Sequence, residues 1–145
     1  MITRETDYAI RAMLYLAHHA GDGAISAATV AEAMDIPYRF LRRILSRLVG
    51  TNLLVSTRGK QGGLRLARDP EEVSLLDVVE AMDPEVITLN SCVLKSALCA
   101  RSAYCAVHDE LCRIQIYVNA ELGAISLAKL VEHESGRNDD LPHTI

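Results

Sequence analysis

Tryptophan is missing from this 145-residue chain, phenylalanine occurs once, and aromatic residues make up only 4% of it. A core without large rings must be assembled from Leu, Ile, Val, Ala and Met, and that composition leans towards helix. Long apolar runs are missing too: no stretch reaches the roughly eighteen residues that a membrane-spanning helix needs. The opening stretch MITRETDYAIRAML places Arg4, Glu5, Asp7 and Arg11 where a signal peptide would be apolar, so it is not read as a secretion signal. A cytoplasmic location, where thiols are kept reduced, is the expectation, with no membrane partner. Half of the residues are apolar and 23% are charged, which fits a soluble globular protein of one domain with at most an appended element. In such a setting four cysteines suggest metal or redox chemistry before structural disulfides.

Acidic residues are also missing from one long window. The chain as a whole carries a net charge of −4, yet Ile36 to Arg68 contains no Asp or Glu. The same window holds Arg39, Arg42, Arg43, Arg47, Arg58, Lys60, Arg65 and Arg68, over half of all the Lys and Arg. A basic block on an acidic protein is the footprint of a polyanion site, although charge alone fits a solvated basic face equally well.

The pattern around that block separates the two. Thr3 to Ala20 reads as a first helix, with apolar residues at spacings of three and four and with Glu5 and Asp7 near its positive end. Gly21-Asp22-Gly23 stops it. Ser26 caps a short second helix, Ala27 to Met34, and Pro37 opens a third, Pro37 to Gly50. The third helix sets Phe40, Leu41, Ile44, Leu45 and Leu48 on one side and leaves Tyr38, Arg39, Arg42, Arg43 and Ser46 largely off it. Two short helices joined by a tight turn, the second basic and amphipathic, form a helix-turn-helix, in which Arg39, Arg42 and Arg43 are expected to contact DNA phosphates or base edges, with Tyr38 and Ser46 as lesser candidates. Two β-prone runs, Leu53 to Thr57 and Leu64 to Ala67, flank the glycine-rich basic loop RGKQGG, so a hairpin wing follows. Arg58 and Lys60 on that loop suit phosphate contact, and an Arg suits the negative potential of a minor groove.

Ser74 caps a further helix, Leu75 to Met82, ended by Asp83-Pro84. Helical periodicity then lapses until His108. Beyond it Leu111, Ile114, Val118, Leu122 and Ile125 form a long stripe, read as a dimerisation helix, and Ser126 caps a turn or two more. The fold class is therefore mainly α with a small β-hairpin. The expected plan is a winged helix-turn-helix over 1–83, a cysteine-containing loop over 84–107, a dimerisation helix region over 108–134 and a polar, frayed tail over 135–145. No nucleophile–base pair, phosphate-binding loop or other catalytic set is found, so the chain is not expected to be an enzyme.

Three of the cysteines lie in the loop, in CVLKSALCARSAYCAVH. Cys92, Cys99 and Cys105 follow the spacing C-x6-C-x5-C, wider than the paired knuckles of structural zinc sites. Thiolates at such intervals can each reach a different corner of an iron–sulfur cluster, 2Fe–2S or 4Fe–4S, and three of them need a fourth ligand. Two other readings stand beside this one: thiols packed as small hydrophobes, and a thiol switch. Cys112 falls inside the later helix and reads as core or interface.

The segment LRRILSRLVGTNLLVSTRGKQGGLRLAR, followed by the three cysteines and a long helix, resembles the IscR/NsrR family of bacterial transcription regulators. The resemblance runs from TRETDYAIRAML to the dimer helix. It implies a homodimer on a palindromic double-stranded operator with an iron–sulfur cluster in each subunit; the expectation is a repressor sensing nitric oxide, redox or iron/cluster status, and the alternative is a cluster-free winged-helix regulator gated by a thiol switch or a protein partner. By position, Cys92, Cys99 and Cys105 match the cluster cysteines. His108 matches the histidine that completes the cluster in IscR-like members. Asp7 matches the aspartate supplied from the partner subunit in NsrR-like members. This chain departs from the pattern in a six-residue first interval where five is common, in a VLKSAL loop without the usual glycines, and in Arg42-Arg43 where IscR-like members often have an acidic residue.

Overall fold

The structure is a computed structural model and describes residues 2–85, 87–94 and 99–140. Helix α1, Arg4–His18, begins at Thr3, whose hydroxyl accepts from the Thr6 amide at 3.2 Å. It buries Thr6, Ala9, Ala12, Met13, Leu16 and Ala17, a single stripe at helical spacing. Helix α2, Ala27–Ala33, starts under the Ser26 cap, which accepts from Thr29 N–H at 3.1 Å. The turn into α3 passes through Asp35, held at φ 52°, and buries Ile36. Helix α3 spans Tyr38–Gly50, so Pro37 stands just ahead of the helix as its N-cap residue, one place earlier than the sequence suggested. Leu41, Ile44, Leu45 and Leu48 turn inward; Phe40 is only half-buried.

The wing is β1, Leu54–Thr57, paired antiparallel with β2, Gly63–Leu66, in the register Leu54 opposite Leu66 and Thr57 opposite Gly63. Ile25 adds a bridge to Leu64, with Ile25 N–H donating to Leu64 O at 3.0 Å and Leu64 N–H to Ile25 O at 2.7 Å. The wing is thereby fastened to the entry of α2. This close approach needs glycine at 63: φ is +147° there, and a Cβ would lie 2.6 Å from the Ile25 carbonyl oxygen.

Helix α4, Leu75–Met82, opens with a reciprocal capping box between Ser74 and Asp77 and sends Val78, Val79 and Met82 into the core. The stretch read as a loop carries a short helix, α5, Ser91–Leu94, and a 3₁₀ turn at Ser102–Tyr104. Helix α6 is Ala106–Gly123, and α7 is Leu127–Asp140.

The C-terminal third departs from expectation. The turn or two foreseen after Ser126 is a fourteen-residue helix, so residues 135–140 of the supposed frayed tail are helical. Its anchor is apolar: Leu127 is fully buried in the main core and Val131 packs on it, so that α7 lies along α1. The polar composition beyond Val131 concealed the helix, because one anchored turn is enough to carry the rest. Residues 141–145 lie outside the described part of the chain, as do 95–98 of the VLKSAL loop.

Between α6 and α7 the chain is stitched to the start of α4. Leu75 N–H donates to Ile125 O at 2.8 Å, Leu127 N–H to Val73 O at 2.9 Å and Ala128 N–H to Pro70 O at 3.1 Å. The root of α6 is thus fixed to the segment that leaves the wing.

Candidate nucleic-acid interface and cysteine site

The exposed side of α3 and the wing face a common groove. Tyr38, Arg42 and Ser46, at successive steps of four, line it from the helix, and Ser56, Thr57, Gly59 and Gly62 line it from the hairpin. Arg58 and Lys60 are exposed on the loop between the strands. Gly59 takes φ +106°, and a Cβ at Gly62 would lie 2.4 Å from the Thr57 carbonyl oxygen, so both glycines shape that loop.

The other basic residues of α3 divide their work. Arg39 is exposed and stacks its guanidinium 4.7 Å from the centre of the Phe40 ring. Arg43 is drawn to α1, where it forms an ion pair with Glu5. Arg47 donates from Nη1 to the Met82 carbonyl at 2.7 Å and so ties α3 to the last turn of α4. Of the seven residues proposed for DNA contact, Tyr38, Arg42 and Ser46 are brought together with the wing. Arg39, Arg58 and Lys60 are solvent-facing beside it, and Arg43 already has a carboxylate partner.

The first part of the cysteine segment, α5, lies against α6. Along that helix Cys105, His108, Cys112, Gln115 and Asn119 follow one another at steps of three and four and so share one face. Cys105 is the N-cap residue, and its carbonyl accepts from His108 N–H at 3.0 Å. His108 Nε2 lies 3.6 Å from Cys112 Sγ. Further along, the Gln115 side chain is 92% buried and fully paired. Its Oε1 accepts from Leu89 N–H at 2.9 Å, while Nε2 donates to Ile87 O at 3.2 Å and to Asn119 Oδ1 at 2.9 Å. Gln115 therefore clamps the backbone three residues before Cys92. Cys92 itself sits in α5, its amide donating to Asn90 Oδ1 at 3.4 Å, and α5 packs on α6.

The buried centre of α6 is Gln115, whereas Ile114, Ile116 and Tyr117 are exposed, Tyr117 to 66%. Gln115 escaped sequence reasoning because a lone glutamine among apolar residues reads as surface. The one available signal was its spacing, three residues from Cys112 and seven from His108.

An iron–sulfur cluster is held by free thiolates, with a fourth ligand where only three are supplied. Cys92, Cys99, Cys105 and Cys112 are all free thiols and all half-buried. Among the described residues no three of His, Cys, Asp and Glu converge closely enough to hold a single metal ion. A 4Fe–4S cluster asks for less convergence, because each iron takes one protein ligand, whereas each iron of a 2Fe–2S cluster takes two. The free thiols of Cys92, Cys99 and Cys105 are of the ligand type such a cluster takes. Asp7 is not gathered with them within one chain: it lies on α1 and pairs with Arg11 at 2.7 Å.

Comparison with known proteins places this architecture. The model of the Rrf2 family, described as iron-dependent transcriptional regulators, matches residues 2–133. The chain belongs to the Rrf2 family. A related Rrf2 sequence, the HTH-type transcriptional regulator IscR of Sodalis glossinidius, is 32% identical over 133 residues, covering 92% of this chain and 79% of the relative. Among solved structures, IscR of T. potens superposes with a TM-score of 0.70 at 22% identity, over 99% of this chain and 93% of that one. The oxidized form of Staphylococcus aureus CymR gives 0.69 at 25% identity, over 91% and 96%. Family and winged-helix fold together make the Rrf2 chain a DNA-binding transcriptional regulator. Among the described residues no helix is long and apolar enough to cross a membrane.

Proposed function

We propose that this protein is a homodimeric, cytoplasmic repressor that binds a palindromic operator and whose affinity is set by an iron–sulfur cluster on the cysteine segment. Cys92, Cys99 and Cys105 would hold the cluster, 2Fe–2S or 4Fe–4S, with His108 or Asp7 of the partner subunit at the fourth position. The carrying observation is the face of α6 on which Cys105 and His108 stand in line with Gln115, the residue that pins the start of the cysteine segment.

When bound, an iron–sulfur cluster supplies a group that responds to redox state, nitric oxide or iron supply. The chain's own residues would turn its presence into a change of shape. Ligation would tie Cys92 and Cys99 to Cys105 at the start of α6. The junction of α6 and α7, at Ile125 and Leu127, is hydrogen-bonded to Leu75 and Val73 at the start of α4, and α7 lies against α1. A shift of α6 relative to its root would therefore reach both wing and recognition helix. The requirement is modest: a coupling of about 1–3 kcal/mol alters affinity about 5–150-fold.

Ile114, Tyr117 and Val118 form an apolar strip on α6 next to Arg113 and Glu121. A second copy packing there would set two recognition helices about one DNA turn apart, as two-fold operators require.

A thiol switch is the second reading. It is favoured by the four free, half-buried cysteines and by the likeness to the oxidized form of S. aureus CymR. Anaerobic purification, an absorbance spectrum and iron and sulfide analysis separate the two. Iron and sulfide bound in every subunit, and lost in Cys99→Ser, are expected. Colourless, iron-free protein whose operator binding responds to thiol oxidants would replace the cluster by the switch.

A further inference from the structure

Helix α3 carries four arginines, and three of them are held by partners within the protein. Arg39 stacks on the Phe40 ring, Arg43 pairs with Glu5, and Arg47 donates to the Met82 carbonyl. Arg42 is different. It is exposed, and among the described residues no ion pair or aromatic ring engages it. It stands one helical turn from Tyr38 and one from Ser46, in the row of α3 that faces the wing. Among the described residues that line this groove there is no carboxylate, and Arg42 is the one charged side chain. Opposite it the wing offers Ser56, Thr57 and the glycines of its loop, small groups that leave a guanidinium room to extend. Arg42 also comes early in its helix, the fifth of thirteen residues. The N-terminal part of a recognition helix is the part that reaches base edges in the major groove.

We infer that Arg42 is the residue through which α3 reads sequence, and that it reads a guanine in each half of the operator. The inference deepens the operator reading above and rests on it, not on the cluster. A guanidinium offers a planar fork of N–H donors and no acceptor. On its major-groove edge guanine presents two acceptors side by side, N7 and O6. Adenine sets an amino donor beside N7, cytosine presents a donor, and thymine pairs its one acceptor with a methyl group. Each of these leaves one arm of the fork unpaired or opposed. Arg39 and Arg43 lie in the neighbouring row of the helix, one stacked and one salt-bridged. They serve phosphates, which position the protein on the duplex without selecting sequence.

The test uses the full chain, purified anaerobically, and a library of random DNA duplexes. Wild type should enrich sequences with one invariant G·C pair in each half-site, and changing that pair should weaken binding about 5–150-fold. Arg42→Ala should lose the preference at that pair and keep it elsewhere, whereas Arg39→Ala and Arg43→Ala should weaken binding to all sequences alike. Replacing the guanine by 7-deazaguanine, which lacks the N7 acceptor, should weaken wild type about fivefold or more and leave Arg42→Ala unaffected. The deazaguanine comparison needs only wild-type protein, so it stands whatever Arg42→Ala does to folding. If Arg42→Ala keeps the G·C preference and instead loses about 0.9 of the slope of log affinity against log salt, Arg42 is a phosphate contact and the inference is overturned. Selected sites whose guanines all tolerate 7-deazaguanine defeat this inference alone. A wild type that enriches no sequence defeats the operator reading with it.

Discussion

The carboxylate of Glu5, in the first turn of α1, is paired with the guanidinium of Arg43 on the recognition helix. Arg43 is one of the residues proposed for DNA contact, so Glu5 would compete with a phosphate for it. Both partners remain partly exposed, their side chains at 57% and 31%, and such a pair contributes modestly. Glu5→Gln should strengthen operator binding about two- to fivefold, the range of an exposed ion pair. It should also steepen the dependence of log affinity on log salt by about 0.9 as one more phosphate is neutralised. Fluorescence anisotropy across a salt series measures both. An unchanged slope would mean that Arg43 stays off the DNA.

Arg42 and Arg47 stand five residues apart on α3 and are predicted to fail in different ways. Arg42 lines the groove with the wing, so Arg42→Ala should weaken operator binding about 5- to 150-fold, the range of a bidentate base contact, and leave stability nearly unchanged. Arg47 holds the Met82 carbonyl, so Arg47→Ala should cost about 1.5–3 kcal/mol of stability through the lost charged hydrogen bond. Parallel melts and binding curves of the two variants decide it. Equal effects of both variants on both curves would contradict this division.

Gly63→Ala probes the attachment of the wing. Its Cβ would meet the Ile25 carbonyl oxygen at 2.6 Å in a backbone region that alanine rarely adopts. A loss of about 1–3 kcal/mol in denaturant unfolding is expected, as for other overpacked sites. A neutral result would show that the wing is not seated on Ile25.

Gln115→Leu keeps the size of the side chain and removes all three of its hydrogen bonds. The Leu89 amide and Ile87 carbonyl are then left without their partner, a penalty of about 1–3 kcal/mol. Faster amide exchange over residues 87–94 and faster alkylation of Cys92 are expected, with the wing unaffected. Unaltered alkylation would remove Gln115 from any role in holding the cysteine segment.

The DNA-reading half was legible in the sequence because its signals are local. Ser26 and Ser74 cap helices within three residues, glycines mark the hairpin, and Leu41, Ile44, Leu45 and Leu48 repeat at helical spacing. The Cys92, Cys99, Cys105 and His108 pattern was equally visible as a list of donors. What stayed hidden depends on partners far apart in the chain. Gln115 is buried because it pairs with backbone 26 and 28 residues away, and hydropathy cannot register that. Arg43 and Arg47 look alike in sequence, yet one meets Glu5 and the other the end of α4. The length of α7 was hidden for a related reason, since a polar segment stays helical once Leu127 and Val131 are seated on the core.

The central claim is that ligands on the cysteine segment set operator affinity. The most direct measurement is the operator affinity of one anaerobic preparation before and after its iron is removed, at fixed salt. The Cys92→Ser, Cys99→Ser, Cys105→Ser triple variant serves as the permanently iron-free reference. A change of about 5–150-fold on iron removal, matched by the triple variant, is predicted. Equal affinity in all three samples would contradict it.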